Sequence, residues 1–461
     1  MPKYLFIDFG STNTKLTAVD TDKCEIIGTA KSFTTVDSDI RVGYNKAYKE
    51  LIDKIGETKF TKTIACSSAA GGLKMCAIGL VEELTVEAAK RACFGAGGKV
   101  DLVFSHFITK SEVQMIIDRK IDIILLAGGI DGGNSECVLF NAKMLGEAGI
   151  KIPVVYAGNK SCQDEIKEIF DKYHINGYIC DNVMPKLNML NTDSAKEVIR
   201  KIFLTNIIEA KGIKKVEDEV DGVVLPTPYA VLKASELLSR GYLDELGLDD
   251  IVLFDIGGAT TDVYSMSTGN PRRVDVVLRG LEEPYAKRTV EGDLGMRYSA
   301  IGVAGSLTKQ EVDRYLEKGI DIIKEAELRN KNVDMIAFSE QEEAIDREFG
   351  KICVNNAFAR HVGKMETVYS PMGTLFYQTG KDLTGVKYII GTGGIVIHDK
   401  KPTEILKAAC YNPSMPLELR PKSPTFLLDK SYILSSMGLL SDIEPLASLK
   451  IMKKYLVEIE E

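Results

Sequence analysis

The sequence predicts an α/β protein of two similarly built lobes, with a further α/β domain inserted between them in the chain. Three observations predict it. First, an apolar run ending in an acid and a glycine turn occurs twice. Tyr4-Leu5-Phe6-Ile7 leads into Asp8-Phe9-Gly10-Ser11-Thr12-Asn13-Thr14-Lys15, and Ile251-Val252-Leu253-Phe254 leads into Asp255-Ile256-Gly257-Gly258-Ala259-Thr260-Thr261-Asp262-Val263. Second, residues 84–215 alternate strands with helices, the pattern of a parallel sheet covered on both faces. Third, the 461 residues exceed what one core encloses, since single cores stop growing at roughly 250–300 residues.

Each element follows from local pattern. Both glycine turns are flanked by strands, so each reads as a strand-turn-strand hairpin with acids at its ends and free N–H groups at its tip. Residues 24–33 form a third strand. Tyr44, Ala47, Tyr48, Leu51 and Ile55 recur at helical spacing over 42–55, and Thr63-Ile64-Ala65-Cys66 is a strand running into small residues. Three strands, a helix and a strand make half of a ribonuclease-H-like unit. In the insert, strands are expected at 100–104, 121–127 and 153–159, with helices at 110–119, 135–148 and 194–211. The loop Gly128-Gly129-Ile130-Asp131-Gly132-Gly133-Asn134 matches neither G-x-G-x-x-G nor a P-loop. It reads either as a second phosphate site or as a tight strand-to-helix turn.

A helix from about 226 to 240, closed by Gly241, leads into the second hairpin. After the hairpin comes Arg288-Thr289-Val290-Glu291-Gly292-Asp293-Leu294-Gly295-Met296-Arg297, dense in charge and glycine. Its charges read either as an internal salt-bridge cluster or as a site sensing ligand state. Residues 308–347 are charged and mostly helical, and a helix near 350–364 precedes Val386-Lys387-Tyr388-Ile389-Ile390, a strand ending in Gly391-Thr392-Gly393-Gly394-Ile395-Val396. The tail 431–456 reads as helical, without evident chemistry.

Two hairpins facing each other across a cleft can hold a polyphosphate with their backbone N–H groups and with Ser11, Thr12, Asn13, Thr14, Thr260 and Thr261. Asp8 and Asp255 on opposing hairpins suit a hydrated Mg²⁺ that offsets the phosphate charge. Lys15 either reaches a phosphate or is an exposed strand lysine.

The three glycine turns together resemble the actin, heat-shock-70 and sugar-kinase superfamily. Residues 8–15 are similar to its first phosphate motif, 255–263 to its second and 391–396 to its adenosine motif. The helices at 226–240 and 350–364 resemble its two connecting helices. That resemblance implies an actin-type ATPase fold binding ATP or ADP with Mg²⁺. Asp8, Asp255 and Asp262 would act through water on the metal and the attacking water. Gly10, Gly257, Gly258, Thr12 and Thr260 would lie at phosphates, and Gly391, Thr392, Gly393 and Gly394 at the adenosine. Two departures stand out. Ile397-His398 stands where many members carry a proline, and the two acids are 247 residues apart (255 − 8), an excess that an insertion explains.

The loop 125–134, the second hairpin and above all the run 288–297 further resemble the MutL/GlmL family associated with coenzyme-B12-dependent glutamate mutase. That resemblance implies an ATPase chaperone, or reactivating factor, for an adenosylcobalamin-dependent mutase. The expected organisation is a first lobe at 1–83, the insert at 84–215, and a connecting helix with the second lobe at 216–461. Rival readings are a small-molecule kinase, an electron-transferring dehydratase activator and a non-catalytic nucleotide-binding scaffold.

Composition narrows the field. A net charge of −8 argues against a nucleic-acid partner. No run of eighteen apolar residues suggests a membrane span, and no signal peptide is evident before the first strand, so a cytoplasmic location is expected. The nine cysteines include no C-x-x-C pair, which disfavours zinc, a disulfide framework and the cluster of a dehydratase activator. The four histidines have no ligand spacing and no D-x-H-x-x-G motif is present, so no cobalamin ligation is expected. Self-association into a homo-oligomer stays open.

Overall fold

The computed structural model describes residues 2–10, 13–35, 39–68, 73–210, 220–370 and 373–460. The strand Lys3–Phe9 alternates its side chains between two apolar cores, Leu5, Ile7 and Phe9 on one face and Tyr4 and Phe6 on the other. Burial on both faces explains why the run lacks polar alternation. It pairs antiparallel with Asn13–Asp20, which pairs antiparallel with Glu25–Phe33. On its other side lie Lys62–Ser67 and then Gly222–Pro226, both parallel.

The second lobe repeats this plan. Ile251–Ile256 pairs antiparallel with Thr261–Met266, which pairs antiparallel with Ala286–Glu291. Tyr388–Thr392 and Thr425–Leu428 continue the sheet in parallel, and Val457–Glu458 closes its edge. An antiparallel three-strand meander extended by two parallel strands is the ribonuclease-H-like arrangement. Its presence twice in one chain gives the actin-type ATPase architecture.

Between Lys62–Ser67 and Gly222–Pro226 the chain builds the inserted domain. Five parallel strands, Lys74–Gly79, Lys99–Ser105, Ile123–Leu126, Val154–Tyr156 and Gly177–Ile179, form a sheet in the spatial order second, first, third, fourth, fifth. Helices Glu87–Gly95, Lys110–Asp118, Glu136–Glu147 and Gln163–Tyr173 make the crossovers. The insert therefore begins with the strand at Lys74, not at 84, because that strand pairs with insert strands on both sides.

The helix Thr227–Arg240 follows the last strand of the first lobe and carries Pro228 in its first turn, where its missing N–H costs nothing. The expectation for 350–364 is corrected. The helix Glu340–His361 packs Phe349, Cys353 and Phe358 against the second lobe's own sheet. The second connecting element is the tail, Leu434–Leu440 followed by Pro445–Tyr455. These helices cross Thr227–Arg240 and share a core with Tyr4, Phe6 and Ile64 of the first lobe. Gly438 makes the crossing possible, since a Cβ there would lie 1.8 Å from the Ala230 carbonyl oxygen. Among the described residues, no helix is long and apolar enough to cross a membrane.

Candidate functional site

The two hairpins close with the same backbone device. The Gly10 N–H donates to the Asn13 carbonyl at 3.1 Å, and the Gly257 N–H to the Thr260 carbonyl at 2.9 Å. A Cβ at Gly10 would come within 2.5 Å of that carbonyl oxygen, so glycine is required there. Ser11 and Thr12 lie outside the described residues.

Asp8 ends its strand buried and doubly held. Thr227 Oγ1 donates to one carboxylate oxygen at 2.7 Å and Ser435 Oγ to the other at 3.2 Å. One hydroxyl comes from each connecting helix. The acid of the first hairpin thus sits where both helices begin.

Asp255 occupies the equivalent place on the second hairpin, directly across the strand pair from Asp262. It keeps partial solvent access. Its carboxyl is pushed up to about 7, first by burial and then by the charge of Asp262, with Asp8 and Asp429 adding to the rise and Lys15 opposing it. That mutual influence ties both hairpins to one electrostatic site.

Lys15 is not an exposed strand lysine. It pairs with Asp8 in register and its ammonium lies 3.8 Å from the centre of the Tyr432 ring. Tyr432 holds a left-handed backbone (φ 54°) just after Asp429. Asp429 is buried and accepts hydrogen bonds from the N–H groups of Ile433 and Leu434 at 3.0 and 3.3 Å. Burial pushes its carboxyl up while those N–H groups and Lys15 pull it down. Sequence reading missed both residues. The available signal was an apolar strand, Thr425–Leu428, ending in an acid, as in both hairpins.

Asp262 is not free for chemistry. Arg288 Nε and Nη2 lie 2.8 and 2.6 Å from its Oδ1 in a buried pair, and Thr260 Oγ1 lies 3.4 Å from its Oδ2. Other expected ligands divide by burial. Thr14 is fully buried with its hydroxyl on Thr34, and Thr261 donates to the Leu294 carbonyl at 2.8 Å. Neither hydroxyl is left for a phosphate. Asn13, Gly257, Gly258 and Thr260 keep partial access.

In the third turn, Gly393 (φ 96°) packs so closely on Ile256 that a Cβ would meet its carbonyl oxygen at 2.3 Å. That contact binds the 391–394 turn to the second hairpin. Beyond Gly394, the nearest atom to an added Cβ is Tyr432 Oη at 3.5 Å. Thr392 is buried with its hydroxyl 3.4 Å from Asp429, so Gly391 and Thr392 shape the turn from beneath.

The charged run 288–297 pairs outward, not within itself. Arg297 binds Asp346 at 2.7 Å, and Glu291 and Asp293 both bind Arg360 at 2.7 Å. Its backbone braces the second hairpin, since the Met296 and Arg297 N–H groups donate to the Gly257 and Gly258 carbonyls at 3.0 and 2.8 Å. The loop 128–134 is stapled by Asn159 and Asn182. Asn159 accepts from the Gly132 N–H at 2.9 Å, and Asn182 donates to the Gly129 carbonyl at 3.0 Å. It behaves as a tight turn.

Among the described residues, no group of three or more His, Cys, Asp and Glu side chains can enclose a metal ion. Carboxylates set apart in a cleft suit a cation that keeps most of its water, which is how Mg²⁺ is held beside phosphates.

A model of the family described as MutL protein matches residues 4–456. Protein MutL of Clostridium tetanomorphum is 51% identical over 462 residues, and the match covers 100% of both chains. Among solved structures, a glycerol dehydratase reactivase aligns with a TM-score of 0.35 at 10% identity, over 96% of this chain and 99% of that one. Component A of (R)-2-hydroxyglutaryl-CoA dehydratase from Acidaminococcus fermentans aligns at 0.31 and 11%, over 99% of each chain. At these scores the structural likenesses carry no argument about activity.

Proposed function

The chain belongs to the MutL protein family, and from that premise we propose that it is an ATP-hydrolysing reactivating chaperone for an adenosylcobalamin-dependent mutase. The observation that carries the ATP reading is the convergence of Asp8 and Lys15 of the first hairpin with Asp255 of the second and Asp429 at the end of the strand Thr425–Leu428. The MutL/GlmL resemblance carries the choice of client, a glutamate mutase or related aminomutase.

In this reading the turns at Gly10–Asn13 and Gly257–Thr260 receive the phosphates through backbone N–H groups, and the glycine turn at 393–394 receives the adenosine. Asp8 and Asp255 hold Mg²⁺ through its water, and the cation supplies charge neutralisation. Asp255 orients the attacking water. The water oxygen bonds to the γ-phosphorus while the bond to the bridging oxygen breaks; ADP leaves, and the water's proton passes to the Asp255 carboxylate and on to solvent. Lys15 meets phosphate charge from the first hairpin. Asp262 stays paired with Arg288 and acts through the field it places on Asp255. Loss of the γ-phosphate changes how strongly the cleft holds its two walls together, which shifts the population of lobe orientations. The inserted domain passes that shift to the mutase.

The test is phosphate release by the full chain with MgATP, with and without a mutase carrying damaged cobalamin, while cobalamin release is followed by absorbance. Hydrolysis and MgATP-dependent release, both lost in Asp255→Asn, are expected. A chain that binds no nucleotide refutes the ATP site. Hydrolysis without any effect on the mutase refutes the client, and a phosphorylated metabolite among the products replaces it with a kinase.

A further inference from the structure

The inserted domain belongs in sequence to the first lobe, yet its helix Glu87–Gly95 lies against the second. At the contact, the Arg288 side chain is 3% exposed and is shared between two partners. Nε and Nη2 hold the Asp262 carboxylate. Nη1 donates to the Phe94 carbonyl at 3.2 Å and to the Gly98 carbonyl at 3.0 Å. These acceptors stand at the C-terminal end of the helix, which Gly97 closes with a φ of 96° while the Gly98 N–H returns to the Cys93 carbonyl at 2.9 Å. The Phe94 carbonyl also accepts the Gly97 N–H at 3.1 Å, and the last carbonyls of a helix carry the negative end of its dipole. One buried guanidinium thus joins that helix end to a carboxylate lying across one strand pair from Asp255.

We infer that Arg288 is the positioning residue that couples the nucleotide state of the cleft to the orientation of the inserted domain. The inference rests on the ATP reading above. A cation and phosphates arriving beside Asp255 redistribute the field at Asp262, and Asp262 is the larger claim on Arg288. A weaker hold by the carboxylate leaves more of the guanidinium to the helix carbonyls, and a stronger hold leaves less. The two nucleotide states therefore differ in the free energy of the same helix contact, which a ligand must supply to shift an orientation. Coupling of this kind is reciprocal, so a client engaging the inserted domain alters nucleotide affinity by the same factor.

The same helix has a second tie to the second lobe. Arg91 binds Glu283 at 3.1 Å and donates to the Glu282 carbonyl at 2.6 Å. That tie makes no contact with Asp262, and it serves as the control. Amide hydrogen exchange over 87–98 is measured on the full chain with MgADP and with Mg²⁺ and a non-hydrolysable ATP analogue, and binding of each nucleotide is measured separately. In the wild type the two states should differ at least about fivefold in exchange rate. Arg288→Lys keeps a charge for Asp262 but lacks the planar fork that reaches both partners. It should bind nucleotide within about tenfold of wild type, with the exchange difference reduced below about twofold. Arg91→Gln should exchange faster in both states with the ratio intact. The inference falls if Arg288→Lys keeps the wild-type ratio, if Arg91→Gln abolishes it, or if the wild type binds both nucleotides without a difference. A wild type that binds neither nucleotide overturns the ATP reading itself, and the coupling with it.

Discussion

Replacing Asp255 with asparagine should stabilise the metal-free protein at pH 8 while abolishing ATP hydrolysis. In the folded chain the carboxyl is pushed up to about 7, whereas an unfolded aspartate titrates near 3.9. The folded value is the higher one. The group's contribution to stability is therefore complete below about pH 4 and is lost as pH rises through about 7. A gap of roughly three pH units at 1.36 kcal/mol each sets that loss at about 4 kcal/mol by pH 8, against about 1.5 kcal/mol at pH 5. Solvent access and relaxation around Asp255 reduce both figures, which leaves a pH-dependent part of about 2 kcal/mol. The asparagine carries no charge at either pH and escapes the loss. The assay is urea unfolding of both proteins in EDTA at pH 5 and pH 8, with the slopes compared to check that the unfolding reaction is unchanged. The variant's advantage should be about 2 kcal/mol larger at pH 8, and Mg²⁺ with nucleotide should narrow it. An advantage equal at both pH values, or a variant less stable at pH 8, refutes the reasoning. Attraction to Lys15 would then outweigh burial and the neighbouring acids.

Three other substitutions probe different parts of the site. Asp8→Asn keeps an acceptor oxygen for one of the two hydroxyls and offers an N–H that the other can accept, so the fold should persist while steady-state phosphate release drops at least ~100-fold. Asp346→Ala strips Arg297 of its partner and leaves the fully buried Arg329 with Glu325 alone. Urea denaturation should register a cost of about 3–5 kcal/mol, as expected for an uncompensated buried charge. Gly438→Ala drives a methyl into the Ala230 carbonyl, which should lower stability by about 1–3 kcal/mol or more. Because Ser435 rides on the same helix, that variant should also show a raised KM for ATP in the hydrolysis assay.

Both hairpins were legible because a buried strand, an acid and a glycine turn are contiguous in sequence. So was the alternation of the insert, whose crossovers set a regular rhythm. What escaped depended on sheet order. Asp429 becomes a site residue only because Thr425–Leu428 pairs beside Tyr388–Thr392, which no local pattern announces. The tail helices looked inert since their chemistry lies in a single serine and a glycine at a crossing. The superfamily resemblance sets a connector at 350–364, but the apolar face of the helix Glu340–His361 matches its own lobe. A boundary at 83 leaves residues 74–79 with the first lobe because the pairing partners of the strand Lys74–Gly79, at Lys99 and Ile123, lie further along the chain. The charges of 288–297 suggested a cluster, and only the fold revealed that they pair outward, Arg288 with Asp262 of the second hairpin and Glu291, Asp293 and Arg297 with the helix Glu340–His361.

The hydroxyls that hold Asp8 come from residues 219 and 427 positions further along. During synthesis, the first hairpin leaves the ribosome with an acid that has no partner until nearly the whole chain has followed. Contacts this distant in sequence form late and slowly. A growing chain therefore cannot assemble the cleft early, and a translation product that stops short of Ser435 is born without it. The hold on Asp8 is complete only once both hydroxyls are present.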